Sequence, residues 1–189
     1  MDLLQEIELR RARRGLSGEA LDEATMHRLL TAATLAPSCF NHQPWRMIAV
    51  ENAAGNPAAE ALAAALTAGN AWARKAAWFV VCCTAPHLDC RLDEGRDYSY
   101  FDLGQAAFAL QMQAQHEGLI AHPMAGFSPS KVRMALSIPA DIVPLAVLAI
   151  GKPGSTELLN EGQIQKETAP RDRKPLEEVA FRNTYGQSF

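Results

Sequence analysis

The sequence predicts an α+β fold, and three observations carry that expectation. Apolar runs at 46–51, 78–84 and 145–150 (RMIAVE, WFVVCCT and LAVLAI) have the length and residue types of strands. Segments of helical periodicity fall between them in irregular order, unlike the strict alternation of a doubly wound sheet. The 189 residues are 48% hydrophobic and 21% charged, ordinary proportions for one compact domain spanning 1–189.

The first helix is expected over 3–14, where Leu3, Leu4 and Ile7 share a face before Gly15 and Gly18 interrupt the pattern. Asp22 is a good N-cap for a second helix, with Leu21 and Met26 placed to staple its first turn. Met26, Leu29, Leu30 and Ala33 recur at helical spacing, and the pattern stops before Pro37. After the first strand, Asn56-Pro57 supplies a cap and an N1 proline to an alanine-rich helix that Gly69 is expected to close. The run from Trp78 to Thr84 stays apolar without alternation, the signature of a strand covered on both faces. Leu103, Ala106, Ala107, Leu110 and Ala114 place a helix over 102–117, ended by Gly118. Ser128-Pro129 opens a short helix through Leu136. Beyond the third strand, 152–175 is polar and unperiodic and reads as a long loop. In the tail, 176–189, the apolar Leu176, Val179 and Phe181 suggest docking on a partner subunit.

Several function classes are disfavoured. The net charge of −3 argues against a nucleic-acid binder. No apolar stretch approaches the roughly 18 residues of a membrane span. The early acids Asp2, Glu6 and Glu8 argue against a secretory signal, so a cytoplasmic location is expected. In that setting Cys39, Cys82, Cys83 and Cys90 are expected as free thiols, with Cys82 and Cys83 packed in a strand. There is no phosphate-binding GxxxxGK[ST] loop, no GxGxxG after a strand, no GxSxG elbow and no HExxH. Cys82-Cys83 and Cys90 lack the paired CxxC of a zinc ribbon, and no metal-ligating residue is expected.

Three segments carry positive signals. In Arg10-Arg11-Ala12-Arg13-Arg14, residues 10 and 14 would share a helical face and could point at one anion. Equally, the run could be a solvated helix end whose charge suits the C-terminal dipole. Pro37-Ser38-Cys39-Phe40-Asn41-His42-Gln43-Pro44-Trp45 sets polar side chains between two prolines, with Trp45 expected in the core. Arg171-Asp172-Arg173-Lys174-Pro175 is a second basic cluster in an acidic chain. Two arginine clusters and a polar loop would suit a phosphorylated cofactor.

These segments, in this order, resemble the nitroreductase family of flavoproteins, whose members carry RRSxR, then APSxxNxQPW before a strand, then RxRxP. Asp102-Leu103-Gly104-Gln105-Ala106 is similar to the family's DxGxA helix, and 118–127 (GLIAHPMAGF) to its flavin-facing loop. The resemblance implies a central, mostly antiparallel sheet flanked by helices, in an intertwined homodimer with FMN at both interface sites. It implies that Arg10, Arg11, Ala12 and Arg14 hold the phosphate and ribityl chain, completed by Arg171 and Arg173. Pro37, Ser38, Cys39 and Asn41 would come from the neighbouring subunit. Pro123, Met124, Ala125 and Gly126 would line the isoalloxazine through backbone groups, and Asn70 matches a flavin-contacting asparagine. Ala12 stands where the family usually has serine, and Cys39 where small or hydroxyl residues are common.

The implied activity is ping-pong hydride transfer from NADH or NADPH through FMN to a nitroaromatic, quinone or similar acceptor. No side chain is assigned as a catalytic acid or base, and His122 reads as a hydrogen-bonded structural histidine. The alternative is an FMN store or sensor without turnover. Insertions that often cover the family's substrate pocket are missing, which leaves 152–175 as the candidate lid.

Overall fold

Two antiparallel strands buried on both faces organise the chain, whose computed structural model describes residues 3–189. In chain order the elements are α1 (Gln5–Leu9), α2 (Glu23–Thr34), β1 (Arg46–Glu51), α3 (Pro57–Ala65), β2 (Trp78–Thr84) and α4 (Tyr98–His116). There follow β3 (Ile120–Met124), α5 (Pro129–Ala135), β4 (Val143–Gly151), α6 (Glu161–Thr168) and α7 (Leu176–Val179). The four strands form one sheet in the order β1-β2-β4-β3, with every neighbour antiparallel. Ile48 pairs with Val81, Val80 with Leu148, and Ala121 with Ile150.

Because side chains alternate along a strand, the central pair feeds two cores. Phe79, Val81, Cys83, Val147 and Ala149 join Leu62 of α3 and Val132 of α5 on one face. Val80, Cys82, Leu148 and Ile150 join Leu29 and Ala33 of α2 and Leu103, Ala106 and Leu110 of α4 on the other. This explains why β2 reads as an unbroken apolar run. Asp22 caps α2 by accepting from the Thr25 N–H at 2.7 Å, and Leu21 and Met26 are buried in one cluster. Asn56 caps α3, Ser128 caps α5, and Trp45 is buried.

Several boundaries differ from expectation for identifiable reasons. The first helix stops at Leu9 instead of continuing to Arg14, so the helical alignment of Arg10 with Arg14 does not exist. Residues 10–17 are instead an extended arm, whose Leu16 bridges to Pro153. α3 closes at Ala65, and a 3-10 run, Ala68–Lys75, takes over where Gly69 was expected to end it. α4 begins four residues early, at Tyr98, because the one buried side chain of that added turn is Ser99 and no apolar stripe marks it.

The segment 118–127, expected as a loop, contains the edge strand β3, where Pro123 is exposed and removes no sheet-interior hydrogen bond. The 152–175 stretch is not a continuous loop. It contains α6, opened by a reciprocal capping box between Asn160 and Gln163. Only Glu167 of α6 is buried, so no apolar stripe announced this helix.

The cysteines divide into two kinds. Cys82 and Cys83 are buried free thiols, whose pKa values burial pushes up to about 12 and about 11. Contrary to the expectation of free thiols throughout, Cys39 and Cys90 are joined as a disulfide across 51 residues of sequence.

Leu110 has no exposed surface and sits where α4 meets α2. Leu110→Ala should lower unfolding free energy by about 3 kcal/mol, measured by urea denaturation, through lost burial and the cavity left behind.

Candidate functional site

The arm 10–17 has neither helix nor sheet to satisfy its backbone, so its partners come from distant segments. The Ser17 N–H donates to the Lys152 carbonyl at 3.0 Å, and the Gly154 N–H to the Gly15 carbonyl at 2.8 Å. The approach is close: a Cβ on Gly154 would lie 2.2 Å from Ser17 Cα. From α6, the buried Glu167 carboxylate accepts the Arg14 N–H at 2.9 Å and the Gly15 N–H at 3.5 Å. It also faces the Arg14 guanidinium at 3.8 Å.

Thus fixed, the arm forms one wall of a 440 Å³ cavity, and Lys166 and residues 169–173 form the other. The structure therefore gathers Arg10, Arg11, Ala12, Arg14, Arg171 and Arg173 at one place, together with Arg13. Asp172 is the only acid on the lining among the described residues. Burial, then the charges of Arg171, Arg173 and Arg11, hold the Arg10 guanidinium below its usual pKa. Such an excess of like charge suits a polyanion, and a phosphate monoester fits the donor set.

The arginines are not equivalent. Arg171 donates to the carbonyls of Ile7, Glu8 and Arg10, Arg11 to Ala169, and Arg13 to Glu167. They strap the arm down through backbone oxygens. Arg10 makes no side-chain hydrogen bond among the described residues, which leaves its planar fork for a ligand.

Beyond the arm lies β3. Buried His122 accepts no proton readily: burial and the nearby Arg14 and Arg10 charges bring its pKa down to about 4. Its Nδ1 lies 3.0 Å from the Arg13 carbonyl, which can only accept, so the neutral ring donates there. The ring also packs against Trp72, tilted at 57° with ring centroids 4.7 Å apart, and Arg14 Cζ lies 6.0 Å from the Trp72 ring centroid. Through His122 the arm is connected to Pro123, Met124, Ala125 and Gly126. Met124 points into the core, while the Gly126 carbonyl accepts from Asn70 Nδ2 at 2.9 Å and from the Thr67 N–H at 2.9 Å. A Cβ on Gly126 would come within 2.6 Å of Thr67 Oγ1 and 2.8 Å of Asn70 Nδ2, so a side chain here would displace both.

The 37–43 segment lies apart. Pro37 lines a separate apolar cavity with Leu35, Gln105 and Phe108, and no residue of 37–41 lines the arginine cavity. Phe40, Asn41 and Gln43 all take left-handed backbone conformations (φ 46°, 57° and 50°), unusual for non-glycine residues. Fixed contacts offset that strain. Ser38 Oγ accepts the Gln43 N–H at 3.0 Å, and Asp102 Oδ2 accepts the Cys39 N–H at 2.7 Å. Burial pushes the Asp102 carboxyl above the usual carboxylate range; the Cys39 N–H opposes this, and the Asp89 carboxylate reinforces it.

Lys166, Glu167 and Trp72 escaped sequence reading because nothing local marks them. Cys90 and Asp89 meet Cys39 only through tertiary folding.

Residues 7–152 match the nitroreductase family. The chain is 35% identical over 130 residues to an uncharacterized 15.4 kDa protein of Mycolicibacterium smegmatis, covering 66% of this chain and 82% of that one. It is 27% identical over 202 residues to an NADH dehydrogenase of Thermus thermophilus, covering 91% of each. The solved structure of an oxidoreductase containing FMN superposes with a TM-score of 0.88 at 27% identity, covering 100% of this chain and 95% of that one.

Glu167→Ala leaves two backbone donors and the Arg14 guanidinium without their acceptor, and should cost about 2–4 kcal/mol in urea denaturation. For His122 the unfolded ring titrates near 6.5 and the folded ring near 4, so only the unfolded chain gains a proton between those values. Stability should therefore fall by about 3 kcal/mol as pH drops from 6.5 to 4. Denaturation curves of His122→Asn should lose most of that slope.

Proposed function

The chain belongs to the nitroreductase family, and on that premise we propose that it is an FMN-dependent oxidoreductase that takes reducing equivalents from NADH or NADPH and delivers them to a nitroaromatic, quinone or similar acceptor. The observation that carries this reading is the cavity in which several arginines converge against a single acid. The likeness to an oxidoreductase containing FMN supports the cofactor, and the likeness to an NADH dehydrogenase supports the nicotinamide donor.

In this reading Arg10, Arg11, Arg14, Arg171 and Arg173 bind the phosphate, with the ribityl chain along Ala12. Residue 12 offers only backbone groups, so the missing serine hydroxyl is replaced by the surrounding guanidinium donors. Pro123, Met124, Ala125 and Gly126, held in place by Asn70 and Thr67, line the flavin ring through their backbone. Bound there, FMN supplies the hydride acceptor and donor for both half-reactions. The residues of this chain bind and orient, and none of them is assigned a proton-transfer role.

Pro37, Ser38, Cys39 and Asn41 reach the site from a second copy in a homodimer. Exposed Leu4, Leu9, Leu35, Phe101 and Phe108, with Leu176, Val179, Tyr185 and Phe189 of the tail, supply apolar surface for that assembly. No described helix is long and apolar enough to cross a membrane, and we place the protein in the cytoplasm.

The protein reconstituted with FMN should bleach on anaerobic titration with NADH or NADPH and recover its colour when a nitroaromatic or quinone is added. Bound flavin that neither nucleotide bleaches would favour a store or sensor, and absence of flavin binding would overturn the reading. Arg10→Ala should weaken FMN binding about 10- to 100-fold by fluorescence titration, the loss of one or two charge-assisted bonds, with the fold unchanged.

A further inference from the structure

Away from the arginine cavity, Cys39 and Cys90 approach with their Cα atoms 6.3 Å apart, and two further donors converge on them. The Asp89 side chain has no exposed surface, and its Oδ1 accepts the Cys90 N–H at 2.7 Å. Its Oδ2 is buried and makes no hydrogen bond to an N–H or hydroxyl among the described residues, and the Asp102 carboxyl approaches the same carboxylate. His42 Nδ1 lies 3.4 Å from Asp89 Oδ1 and 3.6 Å from Cys90 Sγ. The two sulfurs and a carboxylate oxygen all fall within 4.8 Å of one another.

We propose that the dithiol form of this protein binds one zinc-type divalent cation through Cys39 Sγ, Cys90 Sγ, the Asp89 carboxylate and His42 Nδ1. Tetrahedral zinc takes four ligands at about 2.0–2.3 Å, which sets neighbouring N, O and S donors about 3.3–3.8 Å apart. The His42–Asp89 and His42–Cys90 separations, 3.4 and 3.6 Å, match those edges, while His42 lies outside the trio of donors within 4.8 Å of one another and must turn toward Cys39 Sγ to complete the set. A buried carboxylate oxygen without a partner is costly, and a cation beside it removes that cost. Two thiolates, an imidazole and one carboxylate select zinc over magnesium or calcium, which prefer oxygen. Cys39 and His42 belong to the left-handed 38–43 loop, so a cation there would fix the loop to Asp89 and Cys90.

Disulfide and metal site exclude one another. Reduction by a low-molecular-weight thiol or a phosphine adds two electrons and two protons to the S–S bond and gives two thiols. Zinc then displaces both thiol protons. A two-electron oxidant re-forms the bond and expels the cation. A reducing compartment favours the dithiol.

The test uses full-length, tag-free protein without flavin, so its outcome is separate from that of the proposed oxidoreductase activity. Protein reduced with a phosphine under argon, mixed with zinc chloride and desalted should retain one zinc per chain by mass spectrometry, and oxidised protein none. Cobalt in place of zinc should give the intense visible bands of a tetrahedral thiolate site in the wild type. Asp89→Asn should weaken zinc binding at least tenfold against a chromophoric chelator, and Cys90→Ser should abolish the cobalt bands. Reduced wild type that retains no zinc and shows no cobalt bands would overturn the proposal. So would equal binding by Asp89→Asn and Cys90→Ser, or a disulfide that phosphine cannot open in the folded protein.

Discussion

The Glu167 carboxylate is the contact on which the candidate site depends. The arm from Arg10 to Ser17 has no ladder of its own, and a chain without one must find every backbone partner elsewhere or remain solvated. Glu167 accepts two consecutive N–H groups of the arm and faces the Arg14 guanidinium. A charged acceptor serving backbone donors is stronger than a neutral one, and here its burial sharpens the effect. Around it Arg171 takes up the Arg10 carbonyl with those of Ile7 and Glu8 at the end of α1, His122 the Arg13 carbonyl, and the Gly154 N–H the Gly15 carbonyl. The cationic cavity exists because this segment is held extended against α6. Were it helical, its arginines would be spread around the helix.

That constraint also separates the arginines by task. Guanidinium groups that bond carbonyl oxygens position the backbone, and they bring to the cavity their charge and the donors those bonds leave over. Arg10 is the opposite case: it is partly buried, surrounded by like charge and without a side-chain acceptor among the described residues. Assembling such a cluster is unfavourable in itself, and the burial of β2 and β4 between two apolar layers supplies the stability to impose it. An anion that enters relieves the repulsion, which couples ligand binding to the stability of the arm.

Much of the fold was legible in the sequence because it rests on local pattern. The Asp22, Asn56 and Ser128 caps, the doubly covered β2 and the C-terminal stop of α4 at Gly118 all follow from residue types at fixed offsets. What escaped depends on contacts between distant residues. Leu3, Leu4 and Ile7 announce a helix but cannot say that Arg171 and Glu167 capture the chain just beyond it. α6 carries no apolar stripe, since its single buried side chain is a carboxylate. β3 hides in a segment whose proline is tolerated only because the strand lies at the sheet edge. Cys39 and Cys90 are separated by 51 residues and by no motif spacing, so their meeting with Asp89 and His42 belongs to the fold alone.

The arrangement of one chain also bears on the proposed assembly. The arginine cavity lies against α6, while the 37–43 loop faces α4 and the 89–90 segment through Asp102 and Cys90. One copy therefore presents the two parts of the proposed flavin site without joining them. The loop is held in a strained left-handed conformation by fixed hydrogen bonds, and Phe40 is 88% exposed at its tip. A preformed loop of this kind loses little conformational entropy on meeting a partner, and the apolar side chains exposed on α1 and α4 are already placed to be covered. In that assembly the state of Cys39 and Cys90 would be felt at the flavin: whatever fixes or frees the 38–43 loop in one copy alters the site of the other.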